Sequence, residues 1–297
     1  MEKINQFNPE KKLEKGANVT IDLKLIRHGD RVGPFLTDYG RMETLQRAEE
    51  SGVGPDDYNI VKGMGSNVNP NPKIKDRRSM EMGRALETAD IYVEKIIGDK
   101  RRPYRTMPQK KLSYENIISP PPLDWNKVYD SFLPENFKDL LPEEKAKASK
   151  IAQTKTVNYL ISLKTPEAET FKKELAGSYA CLIDFLQRET QRVKSGTKML
   201  RPAGTHGGMM EFILQYALVR KDKKGNKIIG FNDVNEIGGE LNPSEAFNVR
   251  IATDQEAKIL SPKLTFDNPA RPDLGEMYLD QDKINELKYF YLSLHKE

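Results

Sequence analysis

Apolar and polar residues alternate from Val19 to Ile26, the period of a β-strand, and the run ends at Arg27-His28-Gly29. The period then changes. Leu36-Thr37-Asp38 followed by Tyr39 to Glu50 predicts a helix, with Thr37 or Asp38 as N-cap and Gly52 just past its end. Tyr58 to Val61 predicts a short second strand that stops near Gly63 and Ser66, and the Asn- and Pro-rich stretch Asn67 to Lys75 predicts a loop. From Ser79 to about Ile97, Met82, Leu86, Ala89, Val93 and Ile96 recur at three- and four-residue steps, which predicts a helix stopped by Gly98. Arg84 and Thr88, four apart, share another face near its N-terminal end.

The middle of the chain reads as helical. Leu141-Pro-Glu-Glu starts one helix; Thr165-Pro166-Glu167, with proline at the first position and acids in the first turn, starts another that runs to about Val193. Residues 100–195 therefore form an expected helical insertion rather than a repeat. Met199 to Gly204 makes a poor central strand because of Pro202. Met209 to Val219 predicts a helix, and the amides of Gly207, Gly208 and Met209 at its start can face an anion. Lys227 to Phe231 and Phe247 to Ile251 predict strands, the latter in a hairpin with Ala257 to Leu260 across Asp254-Gln255; Asp280 to His295 predicts a last helix.

Composition narrows the class. The 297 residues allow one large domain or two ordinary ones, and 37% hydrophobic, 31% charged and 8% aromatic residues describe a soluble globular chain. A net charge of +4 suits an anionic substrate without pointing to nucleic acid, and the basic stretch Lys100 to Lys111 reads as a solvated surface loop rather than a nucleic-acid arm. The single cysteine, Cys181, excludes an internal disulfide, fits a reducing compartment, and sits among Ala180, Leu182 and Ile183 as a core residue. Residues 1–17 read as a loose polar leader with no signal peptide, and no stretch approaches the ~18 apolar residues of a membrane span. The expectation is a cytoplasmic protein with no membrane or nucleic-acid partner.

Only 3 histidines occur, and the third, His295, lies near the end. His28 and His206 both stand where an apolar or small-residue segment gives way to glycine, the place where a strand ends and a loop begins. Open α/β sheets bind ligands at that edge. A neutral imidazole there can attack phosphorus and leave again, and arginines beside it can neutralise the phosphoryl oxygens with forked, permanently charged donors.

At these residues the chain resembles the histidine phosphatase superfamily, the phosphoglycerate-mutase-like fold. Leu25 to Gly29 matches its strand-end Arg-His-Gly, with Leu36-Thr37 and Gly40 following; Arg84-Ala85-Leu86-Glu87-Thr88-Ala89 looks like its Arg-Ala-x-x-Thr-Ala helix start; Thr205-His206-Gly207-Gly208 looks like its Ser-His-Gly-Gly. The resemblance implies a single three-layer α/β/α domain over residues 1–297, with a mostly parallel central sheet, a hairpin near its C-terminal end and a helical cap over about 100–195. It implies that His28 is the phosphorylated nucleophile, that Arg27 and Arg84 bind the phosphoryl oxygens, and that His206 and Gly207 stand opposite. Arg31 falls where the acid-phosphatase branch has an extra arginine, and Ser66 where the family has a serine. The general acid stays open. One branch takes an aspartate directly after the second histidine, where this chain has Gly207; Glu115 is the first candidate, Asp124 the second and Asp30 the third.

The implied function is a metal-independent phosphomonoesterase without a cofactor, acting through a phosphohistidine on a phosphorylated small molecule or phosphoprotein. The alternatives are a phosphoglycerate or phosphosugar mutase with the same core, or a phosphate-binding protein without catalysis. The stretch after His28 lacks the mutase-like Glu-Ser-x-x-Asn, which favours the phosphatase.

Overall fold

The computed structural model describes residues 14–54, 56–66, 82–98, 106–222 and 224–296. The predicted Asn/Pro loop, most of the leader, residues 79–81 of the predicted helix and residues 100–105 of the basic loop lie outside them.

In chain order the elements are β1 (Thr20–Arg27), a small hairpin of β2 (Arg31–Val32) and β3 (Phe35–Leu36), α1 (Asp38–Glu50), β4 (Ile60–Val61), β5 (Gly63–Gly65) and α2 (Arg84–Ile97). Then come β6 (Thr106–Pro108), two 3-10 turns at Lys110–Leu112 and Tyr114–Asn116, α3 (Trp125–Ser131), α4 (Pro142–Ser162) and α5 (Pro166–Thr190). The chain ends with β7 (Lys198–Thr205), α6 (Met210–Ala217), β8 (Leu218–Lys221), β9 (Lys227–Ile229), β10 (Ala246–Ala252), β11 (Lys263–Phe266), β12 (Met277–Leu279) and α7 (Gln281–Leu294).

The fold is α/β. A 10-stranded sheet runs in the order β6-β5-β7-β1-β10-β11-β12-β8-β9, with β4 also on β7. It is parallel where β4, β5, β6, β7 and β1 meet and antiparallel from β10 outward. Helices cover both faces of the parallel half. Ile21, Leu23 and Leu25 of β1 join the main core with α5, α6 and α7, whereas Ile26 packs with Ala48 of α1 and Tyr92 of α2. The polar members of the alternation, Asp22 and Lys24, are buried too. Asp22 accepts two bonds from Arg250, at 2.8 and 3.0 Å, and one from the Tyr58 hydroxyl at 2.7 Å, while Lys24 pairs with Asp267.

Several expectations change. Pro202 lies in the middle of β7, between β1 and the β4–β5 edge. The odd-numbered carbonyls Thr197 and Thr205 face β1, while Leu200 and Gly204 accept from Lys62 and Ser66 on the other side. Position 202 thus faces the gap at Lys62, between β4 and β5, where no ladder bond from it is needed. The helix expected from Ser79 begins at Arg84: Met82 and Gly83 are not helical, and Gly83 is the N-cap. The hairpin turn after β10 falls where expected, with Thr253 bridged to Ile259, but the returning ladder is β11, beyond Pro262, rather than 257–260. A proline has no N–H to lend to the ladder, so regular pairing resumes after it. Of the helical middle, α5 is a layer of the core: Leu175, Tyr179, Leu182 and Leu186 are fully buried. No helix among the described residues is long and apolar enough to cross a membrane.

Candidate functional site

Two parallel strands in register bring the histidines together. Arg27 of β1 lies opposite Thr205 of β7, and the His28 amide donates to the Thr205 carbonyl at 2.9 Å. The residue following each strand is therefore an imidazole at the same sheet edge. The two ring centroids are 5.3 Å apart, edge to face, and both side chains are buried.

Close backbone contacts fix the surroundings. The turn after His28 rests against the first turn of α1: a Cβ on Gly40 would stand 2.2 Å from the Asp30 carbonyl oxygen. A Cβ on Gly204 would stand 1.7 Å from the Ala85 carbonyl oxygen, so β7 and the start of α2 touch, and Arg84 is carried to the site. Arg84 donates its amide to the Pro34 carbonyl at 2.7 Å and its Nη1 to the Gly33 carbonyl at 2.8 Å.

One cavity of about 430 Å³ takes in Arg27, His28, Arg31, Arg84, His206 and Gly207. Glu115, by contrast, is exposed on its 3-10 turn and does not line it. Asp124 caps α3, accepting from the Lys127 amide at 3.1 Å, and Asp30 accepts from the Thr37 hydroxyl at 2.8 Å; both are exposed and neither lines the cavity. No carboxylate lines it among the described residues. The candidate acids are thus replaced by cap and surface roles. The Gly208 amide, expected to face an anion, donates instead to the Glu211 carboxylate at 2.9 Å.

The hydrogen bonds set the tautomer of His28. Its Nδ1 lies 2.8 Å from the Gly29 carbonyl, which can only accept, so Nδ1 carries the proton and Nε2 keeps its lone pair. Burial first, then His206, Arg84 and Arg27, holds the His28 imidazole well below its ordinary value; the bond to Gly29 works the other way. Burial and the charges of Arg84, Arg31 and Arg27 bring His206 down to about 3. Its Nε2 meets the Ser66 hydroxyl at 3.0 Å, and its Nδ1 is buried without a partner. The Nε atoms of Arg27 and Arg84 are likewise buried and unpartnered. Burial, with Arg31 next, lowers Arg84 to about 10. Three arginines and two imidazoles, with no carboxylate among the described lining residues, describe a place for an anion.

Residues outside the predicted set complete the site. Arg27 Nη1 donates to Glu240 at 3.0 Å and to the Leu241 carbonyl. Burial raises both Glu240 and Glu211, while Arg27 pulls them back. The space a side chain at Gly207 would need is filled by Arg27 and by Glu240 Oε1, 2.7 Å from that position. Tyr114 lies over His206, its hydroxyl 3.3 Å from the Gly207 carbonyl. Glu240 follows two glycines in an irregular segment, where no period marks a position as buried. His295, the third histidine, stacks on Tyr291 and bonds Glu174 at 2.8 Å, and does not line the cavity. Among the described residues, no group of three or more His, Cys, Asp or Glu side chains is placed to hold a metal ion.

No protein-family model and no curated protein matches the chain. Solved structures resemble it at a distance. They include a mycobacterial glucosyl-3-phosphoglycerate phosphatase with inorganic phosphate, at 12% identity and TM-score 0.37, covering 83% of this chain and 95% of that one. A phytase from D. castellii, at 9% identity and TM-score 0.44, covers 97% of this chain and 82% of that one. The apo form of a Hafnia alvei phytase, at 10% and 0.40, covers 94% and 97%. At such identities and scores nothing about this chain's activity follows from them. The resemblance to the histidine phosphatase superfamily is carried by the chain's own motifs.

Proposed function

We propose that the protein is a phosphomonoesterase that works through a phosphohistidine on His28. The supporting observation is the pair of neutral imidazoles, 5.3 Å apart, beside Arg27, Arg31 and Arg84 in one hollow with no carboxylate among its described lining residues.

In this reading the phosphoryl dianion sits against Arg27 and Arg84, with Arg31 at the rim. His28 Nε2 attacks phosphorus; the P–O bond to the alcohol breaks as the P–N bond forms. A dianion favours the protonated form of an imidazole facing it, so His206 takes up a proton on binding and hands it to the leaving oxygen. Water then attacks phospho-His28, the P–N bond breaks, and inorganic phosphate leaves. Charge neutralisation falls to the arginines, without a metal ion. Residues 106–162, which include Tyr114, Trp125 and Leu160 of the cavity wall, act as the cap.

His28→Ala is expected to lower turnover of an aryl phosphate by about 10³-fold or more, and rapid quench of the wild type in alkaline detergent with ³²P-labelled ester should trap acid-labile, alkali-stable label on His28. Unchanged turnover in His28→Ala overturns the reading. A phosphoenzyme that resists water until an alcohol acceptor is added would make the protein a mutase instead.

A further inference from the structure

The cavity has two unlike ends. The cationic end is described above. The other is walled by Ile117, Leu123, Trp125, Leu160 and Phe171. Leu160 and Phe171 belong to the main hydrophobic core, and Ile117, Leu123 and Trp125 pack against it, so this wall is rigid rather than a loose loop surface.

What the wall lacks is as informative. Among the described residues, no lysine and no carboxylate lines the cavity, and every arginine lies at its phosphate end. The uncharged polar side chains are Tyr114, His206's neighbour, with Ser119 and Gln153. The Tyr114 hydroxyl already donates to the Gly207 carbonyl at 3.3 Å. A polyol leaving group would bury several hydroxyls against these apolar walls, and each unpaired one costs free energy. A polyphosphorylated ring would bury further charges at this end, where no cation of the described residues meets them. An aromatic or alicyclic body loses nothing there and removes its own surface from water. A volume of about 430 Å³ sits near the lower part of the range for small-molecule sites and suits a compact ligand.

Resting on the phosphatase reading for its cationic end, we propose that the substrate is the monophosphate ester of a compact apolar alcohol, aromatic or alicyclic, and not a phosphosugar or a polyphosphate. Trp125 is the specificity-determining residue. It reaches the wall from the first position of α3, and its Cη2 comes within 3.1 Å of where a Cβ on Gly208 would stand, so the indole edge joins the apolar wall to the phosphate end.

The test separates recognition from chemistry. On the full-length protein, calorimetry compares 2-phenylethylphosphonate, which cannot be hydrolysed, with inorganic phosphate. The phosphonate is expected to bind about tenfold more tightly or better, with a more negative heat-capacity change. Trp125→Ala should erase that advantage and Trp125→Phe should keep most of it. Equal or weaker binding of the phosphonate overturns the proposal, and the wild-type comparison stands even if a Trp125 variant fails to fold. In parallel, kcat/KM is measured for 2-phenylethyl phosphate and glucose 6-phosphate, two primary alkyl esters whose leaving oxygens are alike. Preference for the phenylethyl ester by about tenfold supports the proposal. Equal or better turnover of glucose 6-phosphate overturns it while leaving the phosphatase reading in place. Tight phosphonate binding with neither ester turned over would sink the phosphatase reading instead and leave the ligand class standing.

Discussion

His28 donates its Nδ1–H to the carbonyl of the very next residue, and this local bond leaves the lone pair on Nε2. The same economy holds for His206, whose Ser66 contact leaves Nδ1 unpartnered. Both imidazoles are buried neutral, and this has a sign that can be measured. In an unfolded chain each takes a proton near 6.5; in the folded protein His206 resists until about 3, and His28 also lies well below 6.5. Between those values the unfolded chain binds more protons, so stability falls as the pH drops below 6.5. The His206→Asn variant lacks one such group. Between about pH 7.5 and 5, urea melts should show the wild type losing up to about 2 kcal/mol more than the variant. A second residue-scale prediction concerns the leaving group. If His206 supplies the proton, His206→Asn should slow alkyl phosphates by about 10²-fold or more yet affect p-nitrophenyl phosphate much less, because that anion departs unaided. A third concerns Glu240, buried against Arg27 at 3.0 Å. Glu240→Ala removes a buried acceptor of the Arg27 guanidinium and should cost about 1–3 kcal/mol in a denaturant melt.

At the scale of elements, the site depends on how closely α2 can approach the sheet. Gly204 leaves no room for a methyl group beneath the Ala85 carbonyl, and Gly65 of β5 lies under Leu86 in the same way. Gly204→Ala must push the start of α2 outward. The expected result is a loss of about 3 kcal/mol and weaker inhibition by inorganic phosphate, since Arg84 moves with the helix. Elements with a strong local signature were legible in the sequence. These are β1 with its alternation, α1 with its Thr37 cap, α5 with its Thr165-Pro166 start and α7 from Asp280. Those whose place depends on neighbours were not. The central position of β7 despite Pro202 depends on an interruption in the adjacent edge at Lys62, and no reading of residues 198–205 alone contains it. The start of α2 at Arg84 rather than Ser79 likewise depends on contact with the Gly33-Pro34 turn. Of the residues that line the cavity, His28, His206, Arg27, Arg84 and Arg31 are legible because they stand in motifs at strand and helix ends. Glu240 and Tyr114 come from irregular or unpatterned positions, and Glu211 is a buried acid in the first turn of the predicted helix α6. Glu115 stands exposed on its turn, outside the cavity lining.

At the scale of the whole molecule, the two faces of the sheet have separate tasks. One holds α5, α6 and α7 over a continuous apolar core, while the other binds α1 and α2, and α2 brings Arg84 to the edge where Arg27 of β1 and Arg31 of β2 stand. The anion should therefore act as a clamp between parts that otherwise meet only through the sheet. Inorganic phosphate is expected to raise the melting temperature in proportion to the logarithm of its concentration, reaching about 2.7 kcal/mol at a hundred times its Kd. Arg84→Ala should abolish most of that shift, as differential scanning fluorimetry would show.

The β1–β7 register has a consequence for biogenesis. The first histidine leaves the ribosome early, but its partner strand is translated only after the whole of α1 to α5 has emerged. A stalled nascent chain ending before residue 198 can hold a good deal of native helix and still no working centre. Recovery of phosphate binding during refolding should thus lag the recovery of circular dichroism, since it waits for a long-range strand pairing.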